Sequence, residues 1–203
     1  MKTEVIKIDS TEPEPSLVTK VADMLKDGAL VGLPTETVYG VAVCADNAIA
    51  LEKLYKIKKR PMDKLFALQV DDLSRIRDCV INIPPVVEIL AIECCPGPLT
   101  MIFNGKSGTI GLRIPDNKVT LAILREVAAP LAVTSANISG TTAVSCANEA
   151  LKIFDDLIDA VVDDGSSAAG VESTVLDCSV SPIKVLRKGV AFEKLERFIK
   201  LYG

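Results

Sequence analysis

Ala29-Leu-Val-Gly-Leu-Pro-Thr-Glu-Thr-Val-Tyr-Gly-Val-Ala-Val43 joins two apolar runs through a turn rich in hydroxyls. Ala29 to Leu33 reads as a buried strand and Gly40 to Val43 as a second. The turn at Thr35 follows an apolar, strand-like run, where open α/β sheets place their ligands. Upstream, Ser16 to Asp27 carries Leu17, Val21, Met24 and Leu25 on one helical face and is ended by Gly28, a natural left-handed cap. Downstream, strands are predicted at Phe66 to Val70, Thr100 to Phe103, Thr109 to Ile114, Leu131 to Thr134, Ala160 to Val162, Thr174 to Leu176 and Ile183 to Leu186. Helical patterns fall between them at Asn47 to Lys59, Pro85 to Glu93, Val119 to Val127, Cys146 to Phe154 and Glu193 to Leu201. This alternation predicts a mixed α/β sheet covered by helices. Phe103-Asn-Gly-Lys-Ser-Gly-Thr109 reads as a hairpin turn, so part of the sheet is expected to be antiparallel.

A chain of 203 residues can bury roughly 70% of its unfolded surface in one domain, and neither a repeat nor a linker divides it. A single domain spanning 1–203 is the expectation. No apolar run reaches the roughly 18 to 20 residues of a membrane span. Glu4, Asp9, Glu12 and Glu14 stand where a secretory or mitochondrial signal would need apolar or Arg-rich sequence, so a cytoplasmic location is expected. The six cysteines include no CxxC pair, and Cys94 and Cys95 are adjacent. They read as small buried hydrophobes in a reducing compartment. The chain has no histidine, which removes every Ser-His-Asp triad, Cys-His dyad and imidazole base. Catalysis would have to rest on Lys, Arg, carboxylates, hydroxyls, backbone amides and a metal carried by a substrate.

Lys56-Ile-Lys-Lys-Arg-Pro-Met-Asp-Lys64 puts five cations into nine residues of a chain with net charge -4. Cations at a helix C-terminus are ordinary, at roughly 0.3 to 1 kcal/mol each, and Pro61 is expected to stop the helix at Arg60. Concentrated positive charge on an acidic chain nevertheless suits a small anion better than a long polyanion. Lys58 and Arg60 could both reach one triphosphate, with Arg60 forking onto two oxygens. Ser135 and Asn137, at the end of a strand, offer groups suited to phosphate oxygens or a base edge. Arg113, inside an apolar strand, needs neutralising by a ligand carboxylate or by an internal acid such as Asp116. Nucleotide fingerprints are absent. Gly105-Lys106-Ser107 mimics the tail of a P-loop, but Thr100 stands at the first glycine position, and no GxGxxG occurs.

In order, Leu33-Pro-Thr-Glu-Thr-Val-Tyr-Gly40, Lys58-Lys-Arg-Pro61, Pro96-Gly-Pro-Leu-Thr100, Gly111-Leu-Arg-Ile-Pro-Asp116, Thr134-Ser-Ala-Asn-Ile-Ser-Gly140, Gly170-Val-Glu-Ser-Thr-Val175 and Leu186-Arg-Lys-Gly189 closely resemble the motif series of the YrdC/TsaC family. The resemblance runs from about residue 16 to residue 190. It implies a twisted mixed sheet curled around a basic cavity, and ATP-dependent synthesis of L-threonylcarbamoyl-adenylate from L-threonine and bicarbonate with release of pyrophosphate. That reaction is the first step toward N6-threonylcarbamoyladenosine in tRNA. By the resemblance, Lys58 and Arg60 hold the phosphates and carry catalysis, Ser135 and Asn137 surround the nucleotide, and Arg187 sits near the adenylate. Thr35, Lys64, Arg113, Ser173 and Thr174 fall where the family holds threonine. ATP would bring Mg2+, with no dedicated metal site or tightly bound cofactor. Partners would be the downstream tRNA-modifying machinery, with at most a weak tRNA contact and no membrane. The chain resembles the single-domain members and is expected to lack the extra domain of longer ones. It departs from the pattern at Leu65 and Lys188, where the family usually has proline. Two rival readings are a non-catalytic RNA-binding module, which the acidic charge and 4% aromatic content disfavour, and a related carbamoyl-adenylating domain, separable by amino-acid dependence.

Overall fold

The computed structural model describes residues 2–138, 141–165 and 169–202, with side chains through 200. Ser139 and Gly140, the end of the Thr134 motif, lie outside the described residues. One ten-stranded sheet forms the frame, in the order β1-β8-β2-β3-β7-β4-β6-β5-β9-β10. In chain order the elements are β1 (Glu4–Lys7), α1 (Pro15–Lys26), β2 (Val31–Leu33), β3 (Gly40–Cys44), α2 (Ala48–Lys58), β4 (Ala67–Gln69), α3 (Leu73–Cys79) and α4 (Pro85–Cys94). There follow β5 (Leu99–Gly105), β6 (Gly108–Arg113), α5 (Lys118–Val127), β7 (Leu131–Ser135), α6 (Ala147–Phe154), β8 (Ala160–Asp163), β9 (Thr174–Asp177), β10 (Lys184–Arg187) and α7 (Phe192–Tyr202). Parallel pairs such as β2 with β8 and β5 with β9 share the sheet with antiparallel ones such as β3 with β7, the mixed sheet that the sequence pattern predicts.

Local chemistry explains the elements around the Thr35 turn. Gly40 pairs with Ser135 across β3 and β7, and a Cβ there would come within 2.7 Å of Val133 Cγ1 and 3.2 Å of the Thr134 carbonyl. Asn47 caps α2, its Oδ1 accepting from the Ala50 N–H at 3.0 Å. The helix ends one residue before the expected Lys59, because Lys59 takes a left-handed φ of 48°. The predicted hairpin is present: Gly105 pairs with Gly108, whose φ of 119° closes the turn.

Helices cover the sheet. Val21 and Leu25 of α1 join Ile123 and Leu124 of α5 in one core cluster, while Ala50 and Leu54 of α2 join Ala150 and Phe154 of α6 in a second. Two elements exceed the sequence reading. The edge strand β1 buries Ile6, with Ile8 buried just beyond its end, and α3 is capped by Asp72, which accepts from the Ser74 and Arg75 N–H groups. All six cysteines are free, but only Cys44 and Cys178 are fully buried, so the expectation of mostly buried thiols is corrected. Burial pushes the Cys95 and Cys178 thiols up to about 12. Among the described residues, no helix is long and apolar enough to cross a membrane.

Strand alternation positions the site. In β5, Leu99, Met101 and Phe103 enter the core while Thr100 and Ile102 face a cavity. In β6, Leu112 enters the core while Gly111 and Arg113 face the same cavity. One face of the sheet therefore becomes the floor of a pocket.

Candidate active site

The inner chamber, about 460 Å3, lies on that sheet face and is lined by Thr35, Gln69, Thr100, Arg113 and Ser173, among others. An outer chamber of about 570 Å3 reaches Lys58, Asn137, Gly170, Lys188 and Gly189. Arg60, Thr134, Ser135, Glu172 and Arg187 belong to both walls. Each chamber has the size of a small-molecule site. Their charge is mixed: Arg60, Arg113 and Arg187 face Asp63 and Glu172 in the inner chamber, and Lys58 and Lys188 add to the outer one.

Lys58 is not the solvated helix-end cation that its position suggests, being 2% exposed. Its ammonium donates to the Ser135 carbonyl at 2.5 Å, to the Asn137 carbonyl and to Asn137 Oδ1 at 3.0 Å. It thus ties the end of α2 to the turn after β7. Burial, and secondarily the Arg60 charge, lower its pKa from 10.5 to about 8, with Glu172 opposing. Arg60 folds over the chain that follows it. Its Nε donates to the Lys64 carbonyl and its guanidinium to the Leu65 carbonyl, both at 2.8 Å, and it lies 5.1 Å above the Phe66 ring. Leu65, where the family usually has proline, is 62% exposed. The Lys64 side chain is exposed and lines neither chamber.

Arg187 clamps the Glu172-Ser173 segment. Its Nε donates to the Ser173 carbonyl at 2.9 Å, and its other nitrogens reach Glu172 Oε2 at 2.7 Å and Ser173 Oγ at 3.1 Å. Thr174 is fully buried and lines neither chamber. Its hydroxyl donates to the Val190 carbonyl and accepts from the Gly189 N–H, so it holds the Arg187–Val190 segment in place. Gly189 fits only as glycine there, since a Cβ would meet the Glu172 carbonyl at 2.1 Å. Lys188, the second departure from the family pattern, stacks its ammonium 4.5 Å over Phe192.

Arg113 is neutralised by Glu36, not by Asp116: the ion pair spans 2.8 Å with side chains 8% and 15% exposed, whereas Asp116 is exposed. The same Arg113 nitrogen donates to Thr37 Oγ1 at 2.8 Å. Thr35 gives its proton to the Val38 carbonyl at 2.6 Å, which makes Thr37 the donor of the 2.9 Å bond between the two hydroxyls. This directed chain fixes the Thr35 turn against Arg113. Sequence reasoning missed Glu36, Gln69, Thr100 and Glu172. Glu36 and Glu172 lay within quoted motifs, and the alternation in β4 could have marked Gln69. Deeper still, Tyr39 donates to Asp164 and the Gly165 carbonyl. Burial raises the pKa of both Tyr39 and Asp164. Among the described residues, no group of three or more Cys, Asp or Glu side chains gathers as a metal cage.

An open mixed sheet with a polar double chamber on one face is the scaffold of a small-ligand-binding α/β protein. A family model described as "Telomere recombination", for Sua5, YciO and YrdC proteins, matches residues 23–189. The threonylcarbamoyl-AMP synthase of Bacillus subtilis is 33% identical over 215 residues, covering 98% of this chain and 62% of the relative. The putative threonylcarbamoyl-AMP synthase of Methanocaldococcus jannaschii is 32% identical, covering 97% of this chain and 99% of the relative. The crystal structure of Pyrococcus abyssi Sua5 complexed with L-threonine matches with a TM-score of 0.92 at 29% identity, over 97% of this chain and 61% of that one. The chain belongs to the Sua5/YciO/YrdC family. It spans less than two thirds of the Bacillus relative and of the Pyrococcus structure, and almost the whole length of the Methanocaldococcus relative.

Proposed function

We propose that the chain acts as one YrdC-like unit, an adenylating enzyme making L-threonylcarbamoyl-adenylate from L-threonine, bicarbonate and ATP. The observation that carries this reading is the sharing of Arg60, Ser135 and Arg187 between a chamber holding Thr35, Arg113 and Ser173 and one holding Lys58 and Asn137. An amino acid and a triphosphate seated one in each chamber would meet at that common wall.

In this reading Arg113 takes the threonine carboxylate, and Thr35 and Ser173 face its hydroxyl. Arg60 and Arg187 face the phosphates, while Lys58 supplies buried positive charge and braces Ser135 and Asn137 beside the nucleotide. Thr174 acts by positioning Ser173 and Arg187. Lys64 joins only when the 61–65 turn moves inward. The amine nitrogen bonds to the carbon of bicarbonate-derived CO2 and gives up a proton. A carbamate oxygen then attacks the α-phosphorus, and pyrophosphate leaves. No protein nucleophile is needed, so a chain without histidine suffices; its work is positioning and electrostatic stabilisation. Magnesium enters as the counter-ion of ATP. The product would pass in the cytoplasm to machinery that transfers it to tRNA, and any tRNA contact by this chain would be weak.

The test is pyrophosphate release with ATP, bicarbonate and each amino acid in turn. A site that hydrogen-bonds a hydroxyl leaves donors unpaired with valine, so threonine should outpace it by about 10²-fold or more. Equal rates with valine would exclude the threonine assignment.

A further inference from the structure

Among the described residues, the cations that line the two chambers are Lys58, Arg60, Arg113, Arg187 and Lys188. All but the last are committed to the protein. Lys58 bonds the turn after β7, Arg60 the Lys64 and Leu65 carbonyls, Arg113 the Glu36 carboxylate, and Arg187 the Glu172-Ser173 segment. Lys188 gives no hydrogen bond to, and forms no ion pair with, any described residue. Its ammonium rests 4.5 Å over the Phe192 ring, a contact worth about two- to fivefold in an equilibrium constant at an exposed site.

The root of this side chain is fixed and its tip is not. On one side of it Arg187 is clamped to Glu172 and Ser173. On the other, the Gly189 N–H donates to Thr174 Oγ1 at 3.1 Å and the Val190 N–H to the Glu172 carbonyl at 3.0 Å. The neighbours thus hold the Lys188 backbone on the wall of the outer chamber, while a flexible stem carries an ammonium whose N–H donors are unused. A ring face attracts the charge but offers those donors no oxygen. An anionic oxygen offers both, and the ring contact is weak enough for one to displace.

We propose that Lys188 is a specificity residue for the phosphate tail: when a nucleoside triphosphate enters the outer chamber, the ammonium leaves the Phe192 ring and pairs with the β- and γ-phosphates. The inference rests on the reading of that chamber as the triphosphate site. Arg60 and Arg187 stand on the wall shared with the inner chamber, where the α-phosphorus reacts, whereas Lys188 lines the outer chamber alone. An ammonium with unused donors suits the charged tail and not the neutral nucleoside. The position is one of the two at which the chain departs from the family pattern, so this cation is an addition of the chain's own where proline would supply none. Pyrophosphate is the β,γ piece of the tail, so the contact outlasts cleavage at the α-phosphorus and grips that product as well.

The test is calorimetric titration of wild type, Lys188→Met and Lys188→Gln with ATP, AMP, inorganic pyrophosphate and L-threonine. ATP and pyrophosphate should each bind both variants about tenfold more weakly, the loss of one charged hydrogen-bonded contact, while AMP and threonine should bind as they do to wild type. The difference should shrink as salt is raised, because the Lys188 side chain is exposed. Phe192→Leu, which removes the resting place, should leave ATP affinity unchanged or tighten it by up to about fivefold. Unchanged affinity for ATP and pyrophosphate in both Lys188 variants would overturn the assignment, and so would equal weakening of ATP and AMP, which would put the ammonium at the nucleoside or the α-phosphate. Weaker ATP binding by Phe192→Leu with threonine affinity kept would overturn the transfer, since the ring would then hold the ammonium where it works. If Lys188→Met loses threonine binding through misfolding, Lys188→Gln decides by the same criteria. Absence of ATP binding to wild type would overturn the functional reading together with this one, which keeps the two failures distinct.

Discussion

Replacing Lys58 with methionine removes a buried charge and keeps most of its stem. Among the described residues three acceptors face the ammonium, but two keep other donors: the Ser135 carbonyl still accepts from the Asn137 N–H at 2.9 Å, and Asn137 Oδ1 still accepts from the Ser135 hydroxyl at 2.7 Å. The Asn137 carbonyl loses its bond, at a cost of about 1 to 3 kcal/mol. Against this stands the cost of the charge itself. A lysine whose pKa falls from 10.5 unfolded to about 8 folded binds protons less readily in the folded state, so below pH 8 the fold bears about 3 kcal/mol for keeping it charged. That cost fades as pH rises from 8 to 10.5. Wild type should therefore gain about 2 to 3 kcal/mol between pH 7 and pH 10 relative to Lys58→Met. ATP affinity should move the other way, because in the proposed reading the buried positive charge beside the nucleotide is lost above pH 8. The assay is urea unfolding of both proteins at the two pH values, beside ATP titration of wild type over the same range. Parallel pH profiles for the two proteins, or ATP binding that stays flat to pH 10, would refute the buried-cation argument.

Glu36→Leu strips the counter-charge from Arg113 and should destabilise by about 3 to 5 kcal/mol in urea unfolding, as for other broken buried pairs; a loss under about 1 kcal/mol would mean that Arg113 is solvated. Ser173→Ala should weaken threonine binding and, because it removes the buried partner of Thr100 Oγ1, lower stability by about 1 kcal/mol, whereas Thr174→Val, which strands the Gly189 N–H and the Val190 carbonyl, should lower stability by about 1 to 3 kcal/mol and affect threonine binding less. The opposite pattern in calorimetry and urea unfolding would exchange the roles of these two neighbours.

Much of the frame was legible because its signals are local. Asn47, Gly28 and the Gly105–Gly108 turn each act within a few residues, so the helix boundaries and the hairpin could be read where they stand. β1 was not, since four residues with only Ile6 buried inside them carry too short a period, and its partner β8 lies at the far end of the chain. α3 was overlooked despite the Asp72 cap, because a helix of seven residues shows barely two turns of periodicity. An internal acid does neutralise Arg113, as expected, but it is not Asp116, for a related reason: Asp116 is close in sequence, whereas Glu36 is close in space, and only the folded Thr35 turn brings it there.

The polar floor of the inner chamber follows from a different limit. Leu99-Thr-Met-Ile-Phe103 reads as one apolar run, yet alternate residues face opposite environments. A strand buried on both sides hides which side holds the ligand, because Ile102 and Val175 line a chamber while Met101 and Leu176 fill a core with the same chemistry. What separates the two faces is the rare polar residue on each strand. Gln69, Thr100, Arg113 and Ser135 come from four strands, and only the sheet order β7-β4-β6-β5 sets them side by side. Each alone is an exception within an apolar run; together they are a surface that a core would not tolerate and a polar ligand requires.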